Sequence, residues 1–361
     1  MNTIMRESNI ELLRLISMYL VVWSHFYVHG VWPIVNELTF NNIIIYALDV
    51  GKIGVTVFVL ISGYFLINKT FDLIKLAKLV LQTWFYGVII LIIAYVFDTR
   101  IITQKLFWGS IIPFYSLNWF AKAYLLLYLV FPLMNKFIRN LDKKWLTRFI
   151  LGFGFIWTVL PVLSLYRHGN QKITIMFIYC VGAYLCLYGW KWLQNTNRAV
   201  LLSVTSYCVI ILTVIILWRL RLSDAFFIGK QSSFLALNSV LVLLCGIGLF
   251  CTFVNLKIKN NMINKVASTM FGVYLIHDNP LISGWIWNEV LNVGYYYGSA
   301  FLAPISVFIS ILVIAICSCI DLLRIEYVEK PLLKTIAPML RGLQNKIVIK
   351  LDKIKKMHYK D

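Results

Sequence analysis

The sequence predicts an all-α fold: a polytopic transmembrane helical bundle of about ten spans, with both termini cytoplasmic. Three observations predict it. Of the 361 residues, 60% are hydrophobic and only 14% charged, whereas a soluble domain carries about 25% charged residues. The apolar residues fall into repeated blocks long enough to cross a bilayer core of about 30 Å. The basic residues are divided unevenly among the segments that join those blocks. Composition therefore excludes a water-soluble globule and a disordered chain. The net charge of +19, from 34 Lys+Arg against 15 Asp+Glu, reads as the cytoplasmic loops of a membrane protein and not as a nucleic-acid surface.

The spans run, in order, over 12–29, 43–67, 73–97, 118–135, 149–166, 173–190, 199–218, 234–254, 266–287 and 300–323. The first carries Arg14, Ser24 and His25 and lacks a small-residue cleavage site, so it is expected to be a retained span and not a cleaved signal peptide. The stretch Lys105 to Ser116 is too short to cross and is placed at the interface, as is the loop Arg219 to Ser233. With the N-terminus inside, the cytoplasmic segments hold 24 Lys and Arg residues, Arg6 among them, and the outer segments 7, including Arg167. Arg14, Lys52 and Lys122 remain within spans. That asymmetry orients the chain.

Residues 336–361 form a basic cytoplasmic tail with apolar residues at Met339, Leu343, Ile347, Leu351 and Ile354. It reads either as an amphipathic helix on anionic lipid or as a positive tail that fixes topology. The seven cysteines all lie in apolar blocks. They read as small packing residues, and none shows a zinc-type pairing with histidine, so no metal is expected.

An ionisable side chain in hydrocarbon is costly and by default marks a pathway or a site. Span one contains Glu11, Arg14, His25 and His29. Arg14 and His25 are eleven residues apart, which puts them on one helix face about 16 Å apart along the axis. Asp49 and Lys52 in span two, Lys122 in span four, and His277 and Asp278 in span nine fall in the middle-to-outer zone near His25. If they converge, they form a polar cavity. His29 reads as interfacial. Other readings stand beside these: Arg14, Lys52 and Lys122 snorkel to phosphates, or Asp49 and Lys52 form a structural salt bridge.

Histidine suits proton transfer near neutral pH. A cation about three helical turns away suits the holding of phosphates. The pair fits a long donor anchored near the cytoplasm with its reactive end at His25, a shape that acyl-coenzyme A has.

Five motifs in order sharpen this reading. They are Arg14 with His25 in an Arg-x10-His pattern, Gly51 to Phe58 followed by Ser62-Gly63-Tyr64, Asn118-Trp119-Phe120 running to Tyr128, Gly272 to His277, and Glu329-Lys330-Pro331. With them the chain resembles the acyltransferase-3 family, integral membrane enzymes that move acyl groups onto extracytoplasmic sugars and other acceptors. The resemblance spans about residues 6–335 and makes 1–335 a membrane-embedded acyltransferase domain. It implies an acyl-CoA donor, usually acetyl-CoA, an essential His25, and a surface polysaccharide or lipid-linked glycan as acceptor in the bacterial cytoplasmic membrane. No nucleic acid is involved.

On that resemblance, Arg14 holds the donor's phosphates, with Lys75 and Lys78 standing where the family commonly has two arginines and a proline. Lysine holds phosphate as a point charge. Glu11 steadies Arg14. Asp49 or Asp278 orients His25, with His277 as a further catalytic candidate. Lys52 or Lys122 stabilises the oxyanion, and Trp119, with Lys52, Lys122 and Asp278, faces the acceptor. Two rival functions fit a many-helix membrane protein with buried charges: a transporter or flippase of lipid-linked sugars, and a polysaccharide polymerase or glycosyltransferase. The second is disfavoured by outer segments of no more than about twenty residues, since a polymerase is expected to expose larger loops.

Overall fold

The computed structural model describes residues 8–358 except 34–38, 98, 116–117, 165–168 and 228. Arg6 and Arg167 lie outside the described residues, and so do the side chains of Val348 and of Lys350 onward. Among the described residues the chain forms helices and no strand. In order they are α1 (Ser8–His29), α2 (Phe40–Ala47), α3 (Gly51–Leu66), α4 (Leu73–Phe97), α5 (Gln104–Ile111), α6 (Trp119–Asn140), α7 (Lys143–Gly154) and α8 (Leu160–Leu163). Then come α9 (Gln171–Tyr188), α10 (Thr196–Arg221), α11 (Val240–Val254), α12 (Asn261–Ala267), α13 (Met270–His277), α14 (Leu302–Arg324) and α15 (Lys330–His358).

Among the described residues, seven helical stretches are long and apolar enough to cross a bilayer: Phe40–Leu66, Leu73–Phe97, Trp119–Asn140, Lys143–Leu163, Gln171–Tyr188, Thr196–Arg221 and Leu302–Ile347. Three of the ten expected spans differ, each for a physical reason. The 22 residues of α1 reach about 33 Å, but its ionisable residues lower its hydropathy. The 15 residues of α11 reach only about 22 Å. The ninth span is broken: α12 and α13 are separated by Ser268 and Thr269, and α13 stops at His277. Pro280 cannot continue the helix, and Asn279 Oδ1 takes the Leu281 N–H at 3.0 Å in a side-chain turn. A π-helical turn follows at Trp285–Val290.

The eight residues of α5 are too short to cross. Another π-helical turn, Ile325–Glu329, joins α14 directly to α15, so the tail continues the last span as helix. Met339, Leu343 and Ile347 are exposed there.

The helix α3 sits at the centre, packed by α1, α9 and α11. Glycine makes this approach possible. A Cβ on Gly54 would lie 2.3 Å from the Ser17 carbonyl oxygen of α1, inside van der Waals contact, so no larger residue fits. The peripheral helices α4, α6, α7 and α10 turn Val96, Leu133, Leu151 and Leu212 outward. Such apolar exposure is expected where a surface meets lipid.

Candidate active site

The histidines near the end of α1 meet the end of α13. His25 and His29 are four residues apart, so they share a helix face. Their rings lie 4.9 Å apart, edge to face. The break after His277 lets Asp278 turn back toward both rings. His25 Nδ1 lies 2.9 Å from His277 Nε2 and 3.6 Å from Asp278 Oδ1. His29 Nε2 lies 2.9 Å from the same Asp278 oxygen.

The protons can be assigned along this chain. His277 Nδ1 sits 2.6 Å from the Val273 carbonyl oxygen. A carbonyl only accepts, so Nδ1 carries the hydrogen and Nε2 of the neutral ring is a bare acceptor. His25 Nδ1 must then donate to it. The remaining nitrogen of His25, Nε2, is left with a lone pair and, among the described residues, no hydrogen-bond partner. His29 Nε2 donates to the Asp278 carboxylate. His277 is fully buried, whereas the His25 side chain is 14% exposed.

Neighbouring helices hold this arrangement in place. Asn118 Nδ2, just ahead of α6, donates to the Asp278 carbonyl at 2.9 Å. The Phe120 N–H donates to the Tyr274 hydroxyl at 3.3 Å. Trp287, fully buried, stacks on His29 with centroids 6.3 Å apart.

The predicted outer-zone residues are distributed around this centre. Asp49 accepts from Ser24 Oγ at 2.9 Å, next in sequence to His25. Asp278 is the carboxylate that stands beside the His25 ring itself. A Cβ on Gly51 would lie 2.7 Å from the Ser24 side chain, so this glycine lets the start of α3 close on the same turn. Lys52 lies over the Trp119 ring at 4.7 Å and Lys122 over Tyr115 at 5.8 Å.

The predicted donor-binding cations each face a carboxylate. Arg14, 34% exposed, pairs with Glu11 at 2.7 Å. Lys75 stands 3.9 Å from Asp72. Lys78 pairs with Glu329 at 2.6 Å.

That last contact belongs to a network for which sequence reasoning assigned no role. Arg324 donates through Nε to Asp321 at 2.6 Å and through Nη1 to Glu329 at 2.7 Å. The Tyr86 hydroxyl donates to Asp321 at 2.7 Å. Asp321, Arg324 and Glu329 are all buried. The network also touches α13: a Cβ on Gly272 would lie 2.2 Å from the Asp321 carboxylate. The only local trace of it is the three-residue spacing of Asp321 and Arg324 at the end of an apolar block, which reads equally as a topology signal. His29, read from the sequence as interfacial, stands on Asp278 beside His25, and its four-residue spacing from His25 was the signal for it.

A family model described as an acyltransferase domain matches residues 7–324. No curated protein and no solved structure gives a significant match. The matched stretch covers most of the chain and contains both ends of α13, so the protein belongs to this acyltransferase-3 family.

Proposed function

We propose that this membrane acyltransferase is an O-acetyltransferase of the bacterial cytoplasmic membrane, with about ten spans and both termini cytoplasmic. It moves an acetyl group from cytoplasmic acetyl-CoA to a hydroxyl of a cell-surface polysaccharide or its lipid-linked precursor. The observation that carries the reading is the one-directional chain from His25 Nδ1–H through His277 to the Val273 carbonyl, which leaves His25 Nε2 as the basic nitrogen.

Nε2 takes the acceptor's proton as its oxygen attacks the thioester carbonyl. Positive charge then develops on the His25 ring, and the Asp278 carboxylate 3.6 Å away stabilises it. Collapse of the tetrahedral species breaks the C–S bond, and the proton returns to the departing thiolate. His25 as a transient acyl carrier uses the same lone pair. Lys52 or Lys122 faces the oxyanion, and Trp119, already under the Lys52 ammonium, stacks against the sugar. Arg14, steadied by Glu11, anchors the donor's phosphates with Lys75 and Lys78. The phosphates compete for these cations with Asp72 and Glu329.

The test compares ester content of the surface polysaccharide, by proton NMR, in cells with the wild-type chain, with His25→Ala, and with no chain. Ester is expected only with the wild type. Equal ester in all three, with the acceptor polymer present, overturns the reading.

A further inference from the structure

The polar groups beside the candidate base have a second capacity that acyl transfer does not use. His25 and His29, one turn apart on α1, and Asp278, from the break after α13, each offer one ligand atom, and the three atoms lie within 4.8 Å of one another. Two borderline imidazoles and one carboxylate are a donor set that suits zinc. The two edges that meet at Asp278 are close to what the metal needs. Ligand atoms around tetrahedral Zn²⁺ stand about 3.3 Å apart, given bonds of about 2.0–2.1 Å. His25 Nδ1 to Asp278 Oδ1 is 3.6 Å and His29 Nε2 to Asp278 Oδ1 is 2.9 Å.

The scaffold around these ligands is fixed. The Asp278 backbone carbonyl is held by Asn118 at 2.9 Å, and the His29 ring is backed by Trp287. Each of the three ligand side chains keeps some exposure, between 12% and 23%, so an ion can reach them.

We propose that His25, His29 and Asp278 form a binding site for a divalent zinc-like cation, and that metal in this site switches the base off. Coordination through His25 Nδ1 requires a lone pair on that nitrogen. The ring must then carry its hydrogen on Nε2, the nitrogen that otherwise accepts the hydroxyl proton. His277 loses its donor at the same moment. Metal binding and base function therefore demand opposite tautomers of one ring, and occupancy excludes catalysis without blocking the donor's phosphate site. The binding half stands on the three side chains alone; the inhibitory half rests on the acyltransfer role of His25.

The experiment uses the full chain in nanodiscs with no acyl-CoA present. Zn²⁺ is titrated by calorimetry, and Cu²⁺ is added to a separate sample for electron paramagnetic resonance. One Zn²⁺ per chain is expected, with affinity weakened at least about tenfold in His29→Gln, since even outer-shell partners are worth that much. Nitrogen hyperfine structure from two imidazoles is expected on the copper signal of the unmodified chain. Zinc that does not saturate, unchanged zinc affinity in a folded His29→Gln protein, or a copper spectrum without nitrogen coupling overturns the site. The copper measurement needs no variant, so a failure of His29→Gln to fold leaves the test intact. Acyl transfer is then assayed with and without Zn²⁺, each protein against its own metal-free rate. Loss of wild-type transfer on metal addition, restored by chelation, is the expected result. Full transfer at saturating metal overturns the switch and leaves the site standing. A chain that binds zinc at these residues but transfers no acyl group instead removes the acyltransferase reading of His25.

Discussion

The two ends of α13 are built from opposite kinds of polar group. At the His277 end, imidazole rings pass neutral N–H donors from one to the next and finish on a backbone carbonyl, with a single carboxylate, Asp278, beside them and, among the described residues, no cation paired to it. At the Gly272 end, the helix packs against a cluster of full charges, in which Asp321 and Glu329 both hold Arg324 and Glu329 also holds Lys78. A buried charge pair tolerates little rearrangement, because either partner left alone in a low dielectric is expensive. A chain of neutral imidazoles can change its proton positions without first creating a buried charge. The charged cluster specifies a structure, and the imidazole chain is suited to proton transfer. Eight residues of helix join the two, so the charged end fixes where the imidazole end stands.

The sharpest way to break this comparison is to remove one side chain from each end and read both activity and stability. His25→Ala removes the basic nitrogen and is expected to lower the transfer rate by a factor of about 10²–10⁴, the usual contribution of a positioned general base. Its melting temperature should fall only modestly, by less than on breaking a buried ion pair, because the truncation leaves the buried His277 Nε2 without its donor at a cost of about 1–3 kcal/mol. A His25→Ala protein that transfers at the wild-type rate removes the ring from the chemistry.

The charged end should give the reverse pattern. Arg324→Met leaves Asp321 and Glu329 buried without their shared cation, and breaking a buried pair costs about 3–5 kcal/mol. Lower yield of folded protein and a lower melting temperature are expected. The molecules that remain folded should transfer at near the wild-type rate when rates are normalised to folded protein. Gly272→Ala belongs with this variant, since its methyl group would collide with the Asp321 carboxylate. A stable Arg324→Met protein with no activity would instead move Arg324 into the reaction.

The contrast also explains what the sequence could reveal. His25 was legible because an imidazole at membrane depth is hard to place without a role, and His277 and Asp278 for the same reason. The general helical fold was legible from hydropathy alone. The network around Arg324 was not. It lies at the end of a span, where a basic residue reads as a topology signal and is counted with the loops. Lys78 shows the same blindness: its pairing with Glu329 joins α4 to the turn between α14 and α15, and a long-range contact leaves no local pattern. The break in the ninth span was written in Asn279 and Pro280. Its hydropathy, however, is continuous enough to read as one helix. That break is what turns Asp278 toward His25 and His29.

His277→Phe asks whether the proton chain matters beyond packing. The substitution keeps an aromatic ring of similar bulk against Trp287 but removes the Nε2 acceptor. His25 then has no partner to hold its hydrogen on Nδ1, and both tautomers become populated. A fall in kcat of about two- to fivefold is expected, with little change in KM for the donor, because only the tautomer with Nε2 bare can act as base. A stability defect without a kcat change would make His277 a packing residue and leave the tautomer of His25 to Asp278.

Lys75→Ala is the mildest probe and separates the two lysines predicted for the donor. Lys75 is 57% exposed and stands 3.9 Å from Asp72, so its loss should cost no more than about 1 kcal/mol of stability. Lys78, at 2.6 Å from a buried carboxylate, cannot be removed without leaving Glu329 with one cation fewer. If donor phosphates rest on Lys75, KM for acetyl-CoA rises in Lys75→Ala while kcat and melting temperature hold. The same KM increase in Lys78→Ala should come with a loss of stability that Lys75→Ala does not show. A pair of variants with equal melting temperatures would mean that Glu329 is satisfied by Arg324 alone. Lys78 would then be free to serve the donor, and the charged end of α13 would extend its influence to binding.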